Sequence, residues 1–294
     1  MNRLSTIPFV LLCAACSSSD PTDSGGSGSV AFHTYGEDYI EQMIPADEPA
    51  GQEGFADGWS VKFDRFLVNI QNVSVKTASG SDAGGLPGSK VFNMVIPGNK
   101  PIVRLESVEA QAWDAVGYEI APATAASELG EGAVQADKDT LVNGGFSVFV
   151  EGTATKGTIS KHIAWGFDLG TRYTECRSEQ EGKDQLGIVV TKGQTAEVEL
   201  TIHADHFFYD RLQASEDPSI PTKIRFDAIA AADDDSATPD DEVTLEELEA
   251  KVLDVTLYDP SGFSAANHRA FVESLVRTIG HFRGEGECTV SQIE

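Results

Sequence analysis

The chain has 294 residues, with 47 Asp and Glu against 21 Lys and Arg, and a formal net charge of −26. So acidic a surface argues against nucleic acid, whose phosphates need basic patches, and against electrostatic docking on anionic lipid. It favours divalent cations, basic partners or solubility outside the cell.

Residues 1–15 read as a secretory signal. Arg3 is the positive end, residues 7–13 are a short apolar core, and Ala14 and Ala15 are the small residues before a cleavage site. That core is far shorter than the ~20 apolar residues that cross a bilayer as a helix. Cys16 follows, then Ser17, Ser18 and Ser19. The arrangement resembles the lipobox of bacterial lipoproteins, with Cys13 where Leu is usual. The resemblance implies a lipid on Cys16 and, with Ser after it, sorting to the outer membrane. The membrane is then the expected partner, held by acyl chains at ~0.8 kcal/mol per buried CH₂. An ordinary cleaved signal with a spare Cys is the alternative. Residues 16–28, rich in Ser, Gly and Asp, read as a flexible tether.

From residue 29 the pattern turns to strands. Residues 29–35 alternate. Residues 59–75 carry the clearest period of two, with Trp59, Val61 and Phe63 on one face and a phase slip near residues 64–67 that predicts a bulge. Further strands are expected over residues 91–96, 102–108 and 113–120, with a segment carrying a helical turn over 123–139. Residues 146–155 and 158–168 read as a hairpin around Lys156-Gly157, and residues 187–191 and 195–203 as a second around Lys192-Gly193. Residues 223–229 read as a last strand. Over residues 265–282 the period becomes helical, with Phe271, Leu275, Ile279 and Phe282 on one face. The sum predicts a mainly β protein, an antiparallel, barrel-like β-sandwich with C-terminal helices, in one domain over residues 29–288 with a tail at 289–294.

Four cysteines are present. Cys13 leaves with the signal and Cys16 carries the lipid, which leaves Cys176 and Cys288. In an exported protein such a pair is expected to form a disulfide.

Residues 233–247 crowd acidic side chains without a Lys or Arg among them. Their second half resembles the back half of an EF-hand calcium loop, with Glu247 at the twelfth position, Val243 at the eighth, Glu242 as carbonyl donor and Asp240 at the fifth. Asp234 or Asp235 serves as first ligand if the loop is expanded near Pro239. Asp241 stands where the loop normally has Gly, which asks for a left-handed backbone. The resemblance implies Ca²⁺ on Asp234, Asp235, Asp240, Glu242 and Glu247. The alternative needs no metal: Thr244 and Glu247 make a capping box at the start of a short helix.

A second constellation is His203-Ala-Asp205-His206. His, Asp and His so closely spaced can supply two or three ligands to Cu or Zn, with His281, and behind it Glu285 and Glu287, completing the set if the C-terminal segment packs back. The alternative has both histidines bonding to loop backbone beside an aromatic cluster. His33, His162 and His268 stand alone, with core or surface roles. No Gly-x-Ser-x-Gly elbow, HExxH or phosphate-cradling glycine loop occurs, so no enzymatic activity is expected.

Several segments together resemble an uncharacterised family of acidic, surface-anchored bacterial lipoproteins: residues 35–41 (YGEDYIE), 57–66 (DGWSVKFDRF), 165–168 (WGFD), 171–176 (TRYTEC), 201–206 (TIHADH), 225–232 (RFDAIAAA) and 280–288 (GHFRGEGEC). Such relatives look to carry a more regular Asp-x-Asp-x-Asp-Gly loop, which implies calcium here. Strand pattern and histidine placement also resemble the periplasmic copper-binding proteins associated with methanobactin, a β-rich class with His-based metal sites. The resulting expectation is a membrane-anchored, non-enzymatic metal-binding or structural lipoprotein with a Ca²⁺-stabilised loop; the alternative is a Cu or Zn carrier using His203, Asp205, His206 and His281. A hydrolase without a recognisable motif is the third reading.

Overall fold

The computed structural model describes residues 25–46, 54–180, 182–215, 217, 219–237, 239–261 and 263–293. The expected signal, Cys16 and its lipid, and the tether as far as residue 24 lie outside the described residues. The first strand, Ser27–Gly36, begins inside the expected tether, because Ser27 and Gly28 already pair with Glu109 and Val108.

The molecule is mainly β and sandwich-like, with two principal sheets. A four-stranded sheet runs in the order Gly280–Phe282, Thr195–Ile202, Ser27–Gly36, Lys100–Glu109. A larger, curled sheet of ten strands is built around the 17-residue strand Ser60–Lys76. The first half of that strand pairs with Val148–Lys156 and the second with Ala115–Ile120. The register slips between Phe63 and Arg65, inside the stretch where the hydrophobic phase predicts a bulge. A second slip, around Asn72 at φ 51°, bends the strand again. These two irregularities let one strand serve two directions of the curl.

Alternation fixes which face is buried. Val30, Phe32 and Thr34 of the first strand point inward, as do Val61, Phe63 and Val68 of the long strand. The core between the sheets is aromatic. Phe207 meets Phe66 at 5.6 Å and Phe167 at 5.7 Å, while Phe208 meets Phe55 at 5.1 Å and Phe226 at 5.8 Å, centroid to centroid. Phe207 and Phe208 belong to a single 3₁₀ turn, Asp205–Phe208, so this packing clamps the turn and everything on it to the larger sheet.

Lys156-Gly157 is a hairpin, joining Val148–Lys156 to Ile159–Phe167. The second expected hairpin does not form. Thr195–Ile202 pairs in parallel with the first strand over eight residues, Ser29 opposite Thr195 through Gly36 opposite Ile202, and Ile188–Val189 pairs instead with Ala112–Trp113. The sheets are therefore mixed rather than wholly antiparallel. A parallel neighbour comes from far along the chain, so no turn signal announces it.

The C-terminal helices also depart from the periodicity. Residues 223–229 do not form a strand; Ile224 makes only single bridges, and a helix spans Asp227–Asp234. The helix expected over residues 265–282 is His268–Val276, capped at its start by Asn267, whose side chain accepts from Ala270 N–H at 2.9 Å. Its end is closed by Tyr173, whose hydroxyl donates to the Arg277 carbonyl at 3.0 Å. The chain then re-enters the sheet as Gly280–Phe282. Phe271 and Leu275 pack with Leu253 and Tyr258, whereas Ile279 and Phe282 join the main core. One apparent helical face is thus two environments. Among the described residues no helix is long and apolar enough to cross a membrane.

Cys176 and Cys288 form a disulfide across 112 residues. It ties the segment after Gly280–Phe282 to the sheet and, on the chain-entropy account, contributes ~4–5 kcal/mol.

Candidate metal centre

Three imidazoles meet at one end of the four-stranded sheet. His203 follows directly on the strand Thr195–Ile202, its N–H donating to the Ile279 carbonyl at 2.9 Å. His206 lies on the aromatic-clamped turn. His281 lies in Gly280–Phe282, opposite Thr201. That last strand can approach because residue 280 is Gly: a Cβ there would stand 2.5 Å from the Tyr118 hydroxyl and 2.9 Å from Cζ of Tyr173. Ring centroids are 4.1 Å apart for His203 and His281, and 5.0 Å for His206 and His281. One ring nitrogen from each of the three lies within 4.8 Å of the other two. Drawing each inward by less than about 1 Å brings all three to the ~2.0 Å bonds that Zn or Cu makes to imidazole.

The hydrogen bonds decide which nitrogens are free. Thr278 donates its hydroxyl proton to the Leu275 carbonyl at 2.8 Å, so its oxygen can only accept from Nδ1 of His206, 2.7 Å away. The His206 lone pair is therefore on Nε2. Nε2 of His203 has no hydrogen-bond partner. Nε2 of His203 lies 3.1 Å from Oε1 of Glu37, close but off the line of a hydrogen bond. Nδ1 of His281 and Oδ1 of Asp205 are likewise buried and unpartnered. Among the described residues five buried side-chain atoms lack a partner, and these three are in one place. Leaving a buried polar atom unpaired costs about 1–3 kcal/mol, so the two ring nitrogens favour binding a partner here.

The electrostatics suit a cation. Burial, followed by the charge of His281 and then His203, holds His206 well below its usual pKa. Burial also lowers His203, and burial followed by the charge of His203 lowers His281. All three rings are thus neutral at pH 7, the form that ligates metal. Burial, then the charges of Glu285, Asp205 and Asp38, pushes the Glu37 carboxyl up to about 7.

Of the expected Cu or Zn ligands, His203, His206 and His281 converge and Asp205 does not. Oδ2 of Asp205 accepts the Tyr209 hydroxyl at 2.7 Å, and the carboxylate belongs to neither ligand group. The second group is Glu37, His203 and Glu285, again within 4.8 Å. Glu37 carries no sequence signal as a ligand. It is brought in by the parallel pairing that sets Gly36 opposite Ile202. Glu287 is exposed and outside both groups.

The acidic loop has a shared cation, and it is an ammonium. Nζ of Lys161 is 2.5 Å from Asp233 Oδ2, 2.7 Å from Asp234 Oδ1 and 3.1 Å from Asp241 Oδ1. The Lys161 and Asp233 side chains are 3% and 0% exposed. Burial works against the charge, but the three carboxylates outweigh it and raise the Lys161 pKa. Asp235 pairs with Lys251, Asp240 accepts from the Glu242 N–H at 3.2 Å, and Glu247 caps Thr244 at 2.9 Å. Asp234, Asp235, Asp240, Glu242 and Glu247 do not gather as one side-chain ligand group: Asp234 and Asp235 each give an oxygen to a lysine, Asp240 one to the backbone and Glu247 one to the helix cap. Asp241 does take the left-handed backbone, at φ 66°.

The lone histidines have ordinary surroundings. His33 lies between Glu197 and Glu199, His162 faces Glu151, and His268 is buried edge-on to Tyr258. No family model, curated protein or solved structure matches the chain.

Proposed function

We propose that this protein is a non-enzymatic metal-binding protein that holds one Cu or Zn ion on His203, His206 and His281, exported and anchored to the outer membrane through a lipid on Cys16. The supporting observation is the convergence of three neutral imidazoles, with buried ring nitrogens on His203 and His281 that lack a hydrogen-bond partner. Three nitrogens and no thiolate favour these borderline ions over Ca²⁺ or Mg²⁺, which prefer oxygen. Thr278 fixes the orientation of His206 from behind, as an outer partner of a metal ligand does. The anchor rests on the residues around Cys16, and the acidic surface keeps an anchored body clear of anionic headgroups.

The test uses the full chain in detergent, stripped of metal and titrated with Zn²⁺, Cu²⁺ and Ca²⁺. One equivalent of Zn²⁺ or Cu²⁺ is expected to bind and raise the melting temperature, and a His206→Ala, His281→Ala double variant is expected to lose both effects. Binding that survives the double variant removes this reading. A melting shift with Ca²⁺ that disappears in Glu247→Ala transfers the function to the acidic loop.

A further inference from the structure

The two ligand groups share one imidazole, that of His203. Nε2 of His203 has no hydrogen-bond partner and lies 3.1 Å from Oε1 of Glu37. An ion on Nε2 can look inward to His206 and His281, or outward to Glu37 and Glu285. The inner set is all nitrogen; the outer set is two carboxylates and one nitrogen. Glu285 is exposed, Glu37, His206 and His281 are half-buried, and His203, common to both groups, is 4% exposed.

Outside Glu37 lies an open pocket of about 460 Å³ lined by Tyr35, Gly36, Glu37, Asp38, Glu41, Gly98 and Asn99. Three carboxyl groups and no basic side chain line it. A hydrated cation fits such a volume, and the field draws it inward. Glu37 is common to the pocket wall and the outer ligand set. Glu285 is exposed and Glu37 half-buried where His203 is buried, so an incoming ion meets the carboxylates before it meets that ring.

Building on the three-histidine reading, we propose that Glu37 and Glu285, with His203, form a capture seat for divalent transition-metal ions. The ion lands on the two carboxylates and Nε2 of His203, then pivots on that nitrogen into the inner set. His203 stays bonded throughout, so the ion is never released between the two positions. The carboxylates thus govern the rate of loading and release, and the imidazoles govern the affinity.

The decisive experiment is stopped-flow transfer of Zn²⁺ from a chromophoric chelator to the full chain in detergent, alongside equilibrium competition for Kd. A Glu37→Gln, Glu285→Gln double variant is expected to load at least about tenfold more slowly, within the range that charge-guided capture supplies, with Kd changed less than about threefold. An Asp38→Asn, Glu41→Gln variant removes two pocket charges outside the seat and is expected to slow loading far less. An unchanged rate in the Glu37, Glu285 variant overturns the seat. So does an equal slowing in the Asp38, Glu41 variant, which reduces the effect to bulk charge, or a large rise in Kd, which makes the carboxylates permanent ligands. Loss of Zn²⁺ binding in His206→Ala, His281→Ala is scored separately: if it fails, the three-histidine centre falls as well.

Discussion

The Thr278 hydroxyl lies 2.7 Å from Nδ1 of His206 and spends its own proton on the Leu275 carbonyl. This relay leaves the lone pair of His206 on Nε2, set from a helix end 72 residues further along the chain. It follows that Thr278→Val, nearly the same shape without the acceptor, weakens Zn²⁺ or Cu²⁺ binding about 10–100-fold. Competition titration should show this while far-ultraviolet circular dichroism stays unchanged. Affinity equal to wild type would mean that the ring is oriented by packing alone.

Lys161 is nearly unexposed and holds Asp233, Asp234 and Asp241 together. Removing one partner of such a buried pair leaves uncompensated charge, which costs about 3–5 kcal/mol. Lys161→Met is expected to lower stability in urea unfolding by that amount. Adding Asp233→Leu should recover part of it, because the buried carboxylate is then gone too. Added Ca²⁺ is expected to leave the wild-type midpoint in place.

His268 gives a pH signature away from the three-histidine cluster. Burial, and after it the charge of Lys251, pushes its pKa down to about 4. The unfolded value is about 6.5, so on acidification the unfolded chain takes up this proton before the folded one does. Stability from this group is full above about pH 6.5 and is lost as pH falls toward 4, by up to about 3 kcal/mol. His268→Gln should flatten that part of the curve; the comparison is the difference in unfolding free energy between wild type and variant at pH 7 and pH 4.5. A difference that does not change with pH would remove the group from the acid response.

The Cys176–Cys288 bond closes the loop that carries both His203 and His281. A Cys176→Ser, Cys288→Ser variant is expected to lose ~4–5 kcal/mol of stability, less if the unfolded chain retains structure. Affinity for Zn²⁺ should fall less steeply, since the pairings of Gly280–Phe282 with Thr195–Ile202 and of Phe282 with Gly286 also hold His281. Chemical unfolding with and without Zn²⁺ separates the two effects.

What the sequence determined by itself is local. The period of two in residues 59–75, with its slip, specifies a bent strand, because alternation sets which face is buried. Lys156-Gly157 specifies a hairpin through its turn chemistry, Thr244 and Glu247 specify a helix start, and the two cysteines beyond the expected signal and tether are readable as a disulfide pair. Even His203-Ala-Asp205-His206 is readable as a metal candidate, since neighbours in sequence cannot be far apart in space. Tertiary structure decided the partners. Lys161 reaches the acidic residues from a hairpin more than 70 positions earlier. Gly280–Phe282 looks like the end of a helix until Ile279 and Phe282 enter a different core from Phe271. Glu37 meets His203 only because the first strand pairs in parallel with one that lies 166 residues away. Backbone preference acts over a few residues, whereas a charge or a lone pair is satisfied by whatever the fold places beside it, and that choice is made by packing across the sheets.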